Sequence, residues 1–233
     1  MIDFLVDVFL KPFFAERMRV VKYYSQRETA EALLTSDRPT LLKKGLSLLF
    51  ELTISYPYRR QEIVNRTTDF LRREFPQNLP TPPRLAEVLE LGIRSLASMP
   101  RLDENGFPLN FDIHQIRIDG LDLTRVNLQH FSLWGCQFHN VILSHSSFEE
   151  ADLGGAIFDH CSLEYANLKS AKLCGSPLDN GRPVRFAGTH LWGTNLQDAN
   201  IEYCELENFD HLNLDALQQS IEQGKIRVLA SAA

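Results

Sequence analysis

The sequence predicts an α+β protein with three parts: an N-terminal α-helical region, a β-solenoid and a C-terminal helical cap. Apolar residues recur at helical spacing in residues 1–110, every five residues in 111–208, and again at roughly helical spacing in 209–233. The chain has 233 residues, 44% hydrophobic and 23% charged, which is typical of a folded protein long enough for two domains. These three ranges are the predicted domains.

Charge is distributed unevenly along the chain, whose net charge is -6. Residues 1–110 carry sixteen Lys and Arg against fourteen Asp and Glu, whereas residues 111–208 carry six against thirteen. An acidic surface disfavours direct binding to nucleic acid or to an anionic membrane. No stretch predicts a transmembrane helix, and residues 1–14 lack the basic start of a secretory signal. We therefore expect a cytoplasmic protein that binds neither nucleic acid nor membrane.

Residues 1–110 read as a series of helices. Ser25 begins a possible capping box, Pro39 predicts the start of a second long helix, and Thr81 before a proline predicts an N-cap for the last helix of the region. Basic pairs in these helices are balanced by nearby acidic residues, which favours solvated helix faces over a phosphate-binding site. The segment from Pro100 to Pro108 is rich in Pro and Gly and predicts a linker.

The second part repeats with a period of five. A large apolar residue recurs every five residues, fourteen times in succession, from Ile113 to Leu178. The register slips by three residues at Asp179–Pro183. The pattern then resumes from Phe186 to Leu206, which gives nineteen units in all. The residue two before each of these is small or apolar, so two residues in five are predicted to point inward. Neither a helix nor a flat strand has this period. The predicted inward core includes Leu133, Phe138, Leu153, Phe158 and Leu173.

Three of these units carry a family resemblance. Ala151-Asp152-Leu153, Ala166-Asn167-Leu168 and Ala199-Asn200-Ile201 resemble the A-(D/N)-L signature of pentapeptide-repeat proteins. The resemblance covers residues 111–208 and implies a right-handed, four-sided β-helix with one pentapeptide per side, hence nearly five coils. Family members that carry a helical domain are especially abundant in cyanobacteria, and most have no assigned biochemical role.

Both ends of such a rod need covers, because an open end exposes core residues and unpaired strand edges. The first five small positions are larger than the usual Ala, so we expect a wider first coil covered by the N-terminal helices; they are Phe111, Ile116, Leu121, Val126 and Phe131. At the other end, Leu212, Leu214, Leu217 and Ile221 predict a C-terminal cap helix. In some relatives this helix is a dimer contact, so a monomer or a weak dimer is expected.

The sequence offers no motif for catalysis. It lacks nucleophile, phosphate-binding, dinucleotide-binding and zinc-protease signatures, and the resemblance implies a filled interior, so we expect no catalytic residue, no cofactor and no enzyme activity. The four cysteines, Cys136, Cys161, Cys174 and Cys204, have no C-x-x-C spacing, and three of them take the small inward position, which favours a structural role.

All seven histidines lie beyond residue 113, which raises the question of a metal site. Outward residues stack when they are twenty apart, and this rule brings Asp159 to His139 and Tyr165 to His145 rather than joining two histidines. Neighbouring sides of a solenoid still allow two histidines to meet. Metal binding is therefore a minor alternative, and no metal ligand is assigned.

The outward aromatic residues supply the functional hypothesis. The candidate interaction surface comprises Trp134, Gly135, Gly155, Gly175, Tyr165 and Trp192. Its glycines fit either a turn that needs positive φ or a bare stripe that a partner approaches closely. We interpret the chain as a non-enzymatic interaction or scaffold protein with an unknown protein partner. The resemblance implies an alternative, an acidic DNA mimic that binds and modulates DNA gyrase, which the acidic repeats favour and the short rod and helical domain disfavour.

Overall fold

The computed structural model describes residues 11–174, 184–201, 204–207 and 226–229, and the chain divides into two compact units between Ile63 and Val64. The predicted C-terminal cap helix and the predicted register slip at Asp179–Pro183 lie outside the described residues. Within the described ranges, no helix combines the length and the apolar character needed to cross a membrane.

The fold is of the α+β class, with four N-terminal α-helices followed by a β-solenoid of about four turns. Single turns of 3-10 helix precede the third and fourth helices, at Pro57–Arg59 and Pro83–Leu85. The helices are α1 (Lys11–Leu33), α2 (Pro39–Ser55), α3 (Arg60–Glu74) and α4 (Ala86–Ser98).

The first unit contains α1, α2 and the beginning of α3. The predicted start of α2 at Pro39 is confirmed. The capping box predicted at Ser25 is wrong, because α1 runs unbroken through this residue and the Ser25 carbonyl accepts a bond from the Thr29 hydroxyl at 2.8 Å. The two long helices approach closely at Gly45, where an added Cβ would lie 2.9 Å from the Ala30 carbonyl oxygen.

The second unit begins within α3 and contains α4 and the solenoid. The last turn of α3 packs tightly against the middle of α4, since a Cβ on Gly92 would lie 2.8 Å from the Leu71 side chain. The N-cap predicted at Thr81 is wrong: Leu85 holds the N-cap position of α4, and no side chain caps that helix. Thr81 bonds to the solenoid instead, as described below.

Residues 100–108, the predicted linker, contain a short hairpin. Leu102 forms an antiparallel bridge with Pro108, and the Asp103 amide donates to the Phe107 carbonyl at 2.8 Å. The Asp103 carboxylate accepts the amides of Asn105 and Phe107 at 2.8 and 2.9 Å, which closes the turn. This hairpin lies in the same unit as the solenoid. The domain boundary after residue 110 remains a prediction.

The solenoid coils are joined by parallel pairing. One sheet has the order β2-β4-β5-β6-β7-β8, another pairs β1 with β3, and single bridges join the other sides. The sixth strand of the large sheet, β8, is a strand that the repeat pattern did not predict. The strands are β1 (Phe111–Asp112), β2 (Arg117–Asp119), β3 (Phe131–Ser132), β4 (Gln137–His139), β5 (Ile157–Asp159), β6 (Arg185–Ala187), β7 (Cys204–Glu207) and β8 (Ile226–Leu229).

The offset between paired residues measures the length of each coil. Phe138 pairs with Phe158, twenty residues on, as four pentapeptides per coil require. Phe158 pairs with Phe186, twenty-eight residues on, and the next pair returns to twenty. The offset between β5 and β6 therefore exceeds four pentapeptides by eight residues, whereas the strand pairs before and after it keep an offset of twenty.

Several pentapeptides share one local geometry. An Asp or Asn carboxyl or amide oxygen accepts the backbone N–H two residues on, as Asp122 does from Thr124 at 2.9 Å and Asn167 from Lys169 at 3.2 Å. This Asx turn explains why Asp and Asn recur just before the inward apolar residue. The corner that follows has positive φ, and ten corners hold non-glycine residues with φ between 52° and 60°.

The solenoid interior is filled by side chains. The rings of Phe138, Phe158 and Phe186 stack at centroid distances of 4.7 and 5.0 Å, and in the first coil Phe111 stacks on Phe131 at 4.7 Å. Stacked rings and branched aliphatic residues leave the predicted inward positions fully buried; Leu133, Phe138, Leu153, Phe158 and Leu173 are each 0% exposed.

The open edge of the first coil is closed by side chains from the segment before it. Four of its carbonyls, five residues apart, each accept a side-chain donor because no preceding coil supplies a backbone N–H. The bonds are Arg72 to the Asp112 carbonyl at 2.7 Å, Thr81 to Arg117 at 3.0 Å, Arg94 to Asp122 at 2.6 Å and Arg101 to Asn127 at 2.6 Å. The helical cover predicted from the large first-coil residues is thus present in the second unit.

Backbone pairing completes this edge on one side. Pro76 forms an antiparallel bridge with Ile116, the Arg117 amide donates to the Phe75 carbonyl at 3.0 Å, and the Gln77 amide donates to the Gln115 carbonyl at 2.9 Å. The segment after α3 therefore occupies part of the place that a preceding coil would take.

Candidate interaction surface

The predicted surface residues lie at two different corners of the solenoid. The Trp134 corner comprises residues 114–115, 134–135 and 154–155; the Tyr165 corner comprises residues 125, 145, 165 and 192–193. Corners ten residues apart are half a coil apart, so these two corners are opposite each other. The structure brings Tyr165 and Trp192 together but separates them from Trp134, Gly135 and Gly155, while Gly175 lies outside the described residues.

The Trp134 corner is packed. Trp134 is half-buried and its ring stacks on His114, with centroids 4.4 Å apart and planes inclined by 7°. Gly135 and Gly155 are buried and both have φ of +65°. Positive φ occurs at corners throughout the solenoid, so the turn geometry alone accounts for these glycines and no bare stripe is needed to explain them.

An ion-pair network ties this corner to the cover of the first coil. Asp112 accepts from His114 Nδ1 at 2.5 Å and pairs with Arg72 Nη1 at 2.8 Å. Burial opposes ionisation of Asp112, but the hydrogen bonds from His114 and the charge of Arg72 outweigh it, so the pKa of Asp112 lies below its usual value. Trp134 is therefore part of a fixed structural network.

The Tyr165 corner carries exposed rings in fixed positions. The Tyr165 ring stacks on His145 at 5.1 Å and lies 6.4 Å from the Trp192 ring, inclined by 32°. Tyr165 is 51% exposed and Trp192 is 57% exposed. The Tyr165 amide donates to the Trp192 carbonyl at 2.8 Å, which fixes the two residues on adjacent coils.

Glycine is required beneath Tyr165. Gly193 has φ of +67°, and a Cβ there would lie 2.5 Å from the Tyr165 ring. The ring therefore rests on the bare backbone of the next coil. Glycine makes this close approach possible at Gly193, a residue outside the predicted set.

The two sides that meet at the Tyr165 corner carry hydrogen-bonded polar side chains together with one exposed apolar residue. On one side Ile142 is 46% exposed. On the other, Glu149 accepts the side-chain amides of Gln129 at 2.9 Å and Asn167 at 3.4 Å, and the Asn195 amide donates to Asn167 at 3.0 Å. The aromatic rings thus lie at the border of an apolar position and a hydrogen-bonded polar ladder that sequence reasoning did not predict.

Three cysteines are buried at the small inward position, as predicted. Each thiol points at a carbonyl of the preceding coil: Cys136 Sγ lies 3.2 Å from the Ile113 oxygen and Cys161 Sγ 3.3 Å from the Phe138 oxygen. Burial raises the pKa of Cys136 to about 12 and that of Cys161 to about 11, which makes these thiols poor nucleophiles. Ser146 makes the equivalent bond to the Leu123 carbonyl at 2.9 Å.

The histidine stacking rule is confirmed at both predicted places. His139 Nδ1 lies 3.0 Å from Asp159 Oδ2, and His145 stacks on Tyr165. Within the described part of the chain, no group of three or more His, Cys, Asp and Glu residues is arranged to hold a metal ion.

A family comparison agrees with this geometry. The family described as pentapeptide repeats matches residues 122–159 and 142–179, with eight copies of the repeat. Residues 122–179 are pentapeptide repeats of this family. A search of curated proteins found no match.

Solved pentapeptide-repeat structures resemble part of the chain. HetL, a protein involved in heterocyst differentiation regulation from the cyanobacterium Nostoc sp. strain PCC 7120, is 27% identical over 43% of each chain, with a TM-score of 0.37. Rfr23 from the cyanobacterium Cyanothece 51142 is 22% identical over 46% of this chain and 62% of its own, with a TM-score of 0.23. QnrB1, a plasmid-mediated fluoroquinolone resistance protein, is 13% identical over 51% of this chain and 84% of its own, with a TM-score of 0.30.

Proposed function

We propose that this pentapeptide-repeat protein is a non-enzymatic interaction protein whose binding surface is the Tyr165 corner. The observation that carries the proposal is the pair of rings, Tyr165 and Trp192, which are 51% and 57% exposed although stacking and backbone bonds hold them in place. Large aromatic side chains held in fixed positions lose little entropy on binding and are frequent anchors of protein interfaces.

The architecture supports binding rather than chemistry. The solenoid interior is occupied by stacked phenylalanine rings and leucine side chains, so the outward faces are what a partner meets. The thiols of Cys136, Cys161 and Cys204 are buried and have raised pKa values, which supports a structural rather than a nucleophilic role. All four cysteines are free, which supports a cytoplasmic location because that compartment keeps thiols reduced.

Site-specific photo-crosslinking in the source organism tests this proposal. A benzoylphenylalanine at position 165 should crosslink a distinct protein. The matched control carries the same group at Asn140, an exposed corner with φ of +54°, and should not capture that protein. Equal crosslinking from both corners, or none from position 165 in a folded protein, would contradict the proposal.

A type II topoisomerase is the second candidate partner, and the acidic repeats are the observation that favours it. Residues 111–208 carry thirteen Asp and Glu against six Lys and Arg, and an acidic rod can occupy a DNA-binding surface. A gyrase supercoiling assay with micromolar full-length protein decides this candidate. Inhibition or protection of gyrase would support it, and unchanged supercoiling would dismiss it.

A further inference from the structure

We propose that residues 79–84, the proline segment, form a second binding site, which docks in the polyproline II conformation into an aromatic-lined groove of a partner protein. The segment reads Leu-Pro-Thr-Pro-Pro-Arg. This site goes beyond the proposed function, because it lies between α3 and α4 and uses no residue of the Tyr165 corner. Its backbone, its anchor on the solenoid, its exposed residues and the charge at its end support this assignment.

The order of residues in the proline segment dictates its backbone. A residue that precedes a proline is driven out of the α region toward the extended and polyproline II regions, and Leu79, Thr81 and Pro82 each precede one. Residues 80–82 belong to no helix or strand, and Pro82 has φ of -61° and ψ of 127°, close to polyproline II values. The segment is therefore already in the conformation that a proline-reading groove recognises.

Thr81 holds the middle of the proline segment on the solenoid. Its amide donates to Asp119 Oδ2 at 2.6 Å, its hydroxyl donates to the Arg117 carbonyl at 3.0 Å, and the same hydroxyl accepts the Asp119 amide at 3.2 Å. Thr81 is only 8% exposed. Because the segment is fixed before a partner arrives, its binding costs less conformational entropy than the docking of a free proline-rich chain.

The proline segment exposes the residues on both sides of Thr81. Leu79 is 57% exposed, Pro80 and Pro83 are exposed, and Pro82 is half-buried. The segment thus presents two dipeptides that end in proline, Leu79-Pro80 and Pro82-Pro83, separated by the one residue that is buried. A polyproline II helix has three residues per turn, so dipeptides that begin three residues apart lie on the same side. Segments with this P-x-x-P spacing dock into grooves lined by aromatic side chains.

Arg84 adds a positive charge at the end of the proline segment. It is exposed and directly follows the last proline, in the 3-10 turn Pro83–Leu85. The chain changes direction only after both proline dipeptides are complete, which leaves Arg84 beside the second one. A guanidinium forms strong and often bidentate hydrogen bonds with a carboxylate, so we expect the partner's groove to carry an Asp or Glu at this end.

Photo-crosslinking in a lysate of the source organism tests the inference on the full-length chain. A benzoylphenylalanine at Asn78, an exposed residue next to the proline segment, reports what the segment contacts, and the same group at the exposed Asn105 of the hairpin is the matched control. The competitor is the acetylated peptide Leu-Pro-Thr-Pro-Pro-Arg, and its matched counterpart has alanine in place of each proline. We expect an adduct from position 78 but not from position 105. An excess of the proline peptide should abolish this adduct, whereas the alanine peptide should leave it unchanged.

Variants in the same background then assign the residues. Replacing Pro80 and Pro83 together by alanine should lower the yield of the adduct about tenfold, and Arg84→Gln should lower it about threefold. The control Pro100→Ala changes an exposed proline outside the segment and should leave the yield unchanged. Urea unfolding followed by tryptophan fluorescence checks that each variant is folded, and the peptide competition requires no variant of the proline segment.

Four results would overturn the inference. They are no adduct from position 78, an adduct that the proline peptide does not compete, an adduct that survives the double alanine variant, and an adduct between two copies of this chain. The proposed function is judged separately, by crosslinking from position 165. If position 165 captures its partner while position 78 fails, the interaction function stands without the proline segment.

Discussion

The first coil and the coils below it share one sequence period but satisfy their backbone differently. Below the first coil, carbonyls accept N–H groups of the preceding coil, as Ser132 does from Ile113 at 3.1 Å and Ser147 from Leu128 at 2.7 Å. In the first coil, the equivalent carbonyls accept bonds from three arginines and one threonine. The difference shows that a repeat specifies how coils stack, whereas the end of the stack depends on individual side chains outside the repeat.

The largest expected effect lies in the repeated interior. Leu153→Ala should destabilise the second unit by about 2–5 kcal/mol, because the fully buried side chain leaves a void in a stack of rigid coils. Unfolding in urea, followed by tryptophan fluorescence, measures the loss, since Trp134 and Trp192 both lie in this unit. The exposed Ile142→Ala serves as control and should change stability by less than about 0.5 kcal/mol. A Leu153 variant as stable as the control would contradict the filled interior.

Removing one arginine of the cover should have the next largest effect. Arg101→Met keeps the aliphatic stem but removes the bonds to the Asn127 carbonyl at 2.6 Å and to the Ala97 carbonyl at 3.0 Å. We expect a loss of about 2–3 kcal/mol in the same urea assay, because two charge-assisted bonds to backbone carbonyls are lost and the contacts with two phenylalanine rings are weakened.

Arg125→Met is the matched control for the cover. Arg125 is exposed at a corner of the same coil, and its replacement should leave the unfolding midpoint unchanged. If both variants lose equal stability, the side-chain cover contributes nothing specific and the comparison between the first coil and the others fails.

The repeat itself was predictable from sequence because it is encoded locally. Leu153 and Phe158 each have an inward partner two residues before them, and Asp152 and Asn167 each form an Asx turn. The residues that determine the geometry of these units therefore lie within the units themselves. The stacking of His145 on Tyr165 followed from the same twenty-residue rule.

The presence of a cover was predicted from the large first-coil residues, but its individual donors were not, because they are scattered along other elements. Arg72, Thr81, Arg94 and Arg101 have no common spacing, and each is defined by a carbonyl that lies 26 to 40 residues away. Thr81 shows the problem best, since threonine before a proline is typical of a helix N-cap. The contact of Tyr165 with Gly193 was not predicted for a similar reason, because the two residues are twenty-eight apart and the twenty-residue rule does not join them.

A smaller effect is expected at Thr81. Thr81→Val keeps the shape of the side chain but leaves the Arg117 carbonyl without its donor at 3.0 Å and the Asp119 amide without its acceptor at 3.2 Å. We expect a loss of about 1–2 kcal/mol in urea unfolding. Thr81→Ser retains the hydroxyl and should recover most of that stability. Equal stability of the valine and serine variants would show that Thr81 contributes only packing.

The smallest effect concerns acid stability, and it separates the first coil from the others. Burial opposes ionisation of Asp112, yet hydrogen bonds from His114 and the charge of Arg72 hold its pKa below the usual value. Because the folded pKa is lower than the unfolded one, the stabilisation is present above about pH 4 and is lost as the pH falls through the folded pKa. Asp112→Asn should therefore reduce stability at neutral pH by about 0.5 kcal/mol and flatten its decline below about pH 4.

Two single-tryptophan proteins locate this acid-sensitive step. Trp134 stacks on His114 beside Asp112, so the fluorescence of the Trp192→Phe protein reports on the first coils. Trp192 lies in a later coil, so the fluorescence of the Trp134→Phe protein reports on that region. Asp112→Asn should alter the acid unfolding curve recorded by Trp134 fluorescence more than the curve recorded by Trp192 fluorescence. The control Glu104→Gln changes an exposed hairpin residue and should alter neither curve. Identical shifts at both tryptophans would mean that the solenoid opens as one cooperative unit, and that the first coil differs from the others in how it is bonded but not in when it unfolds.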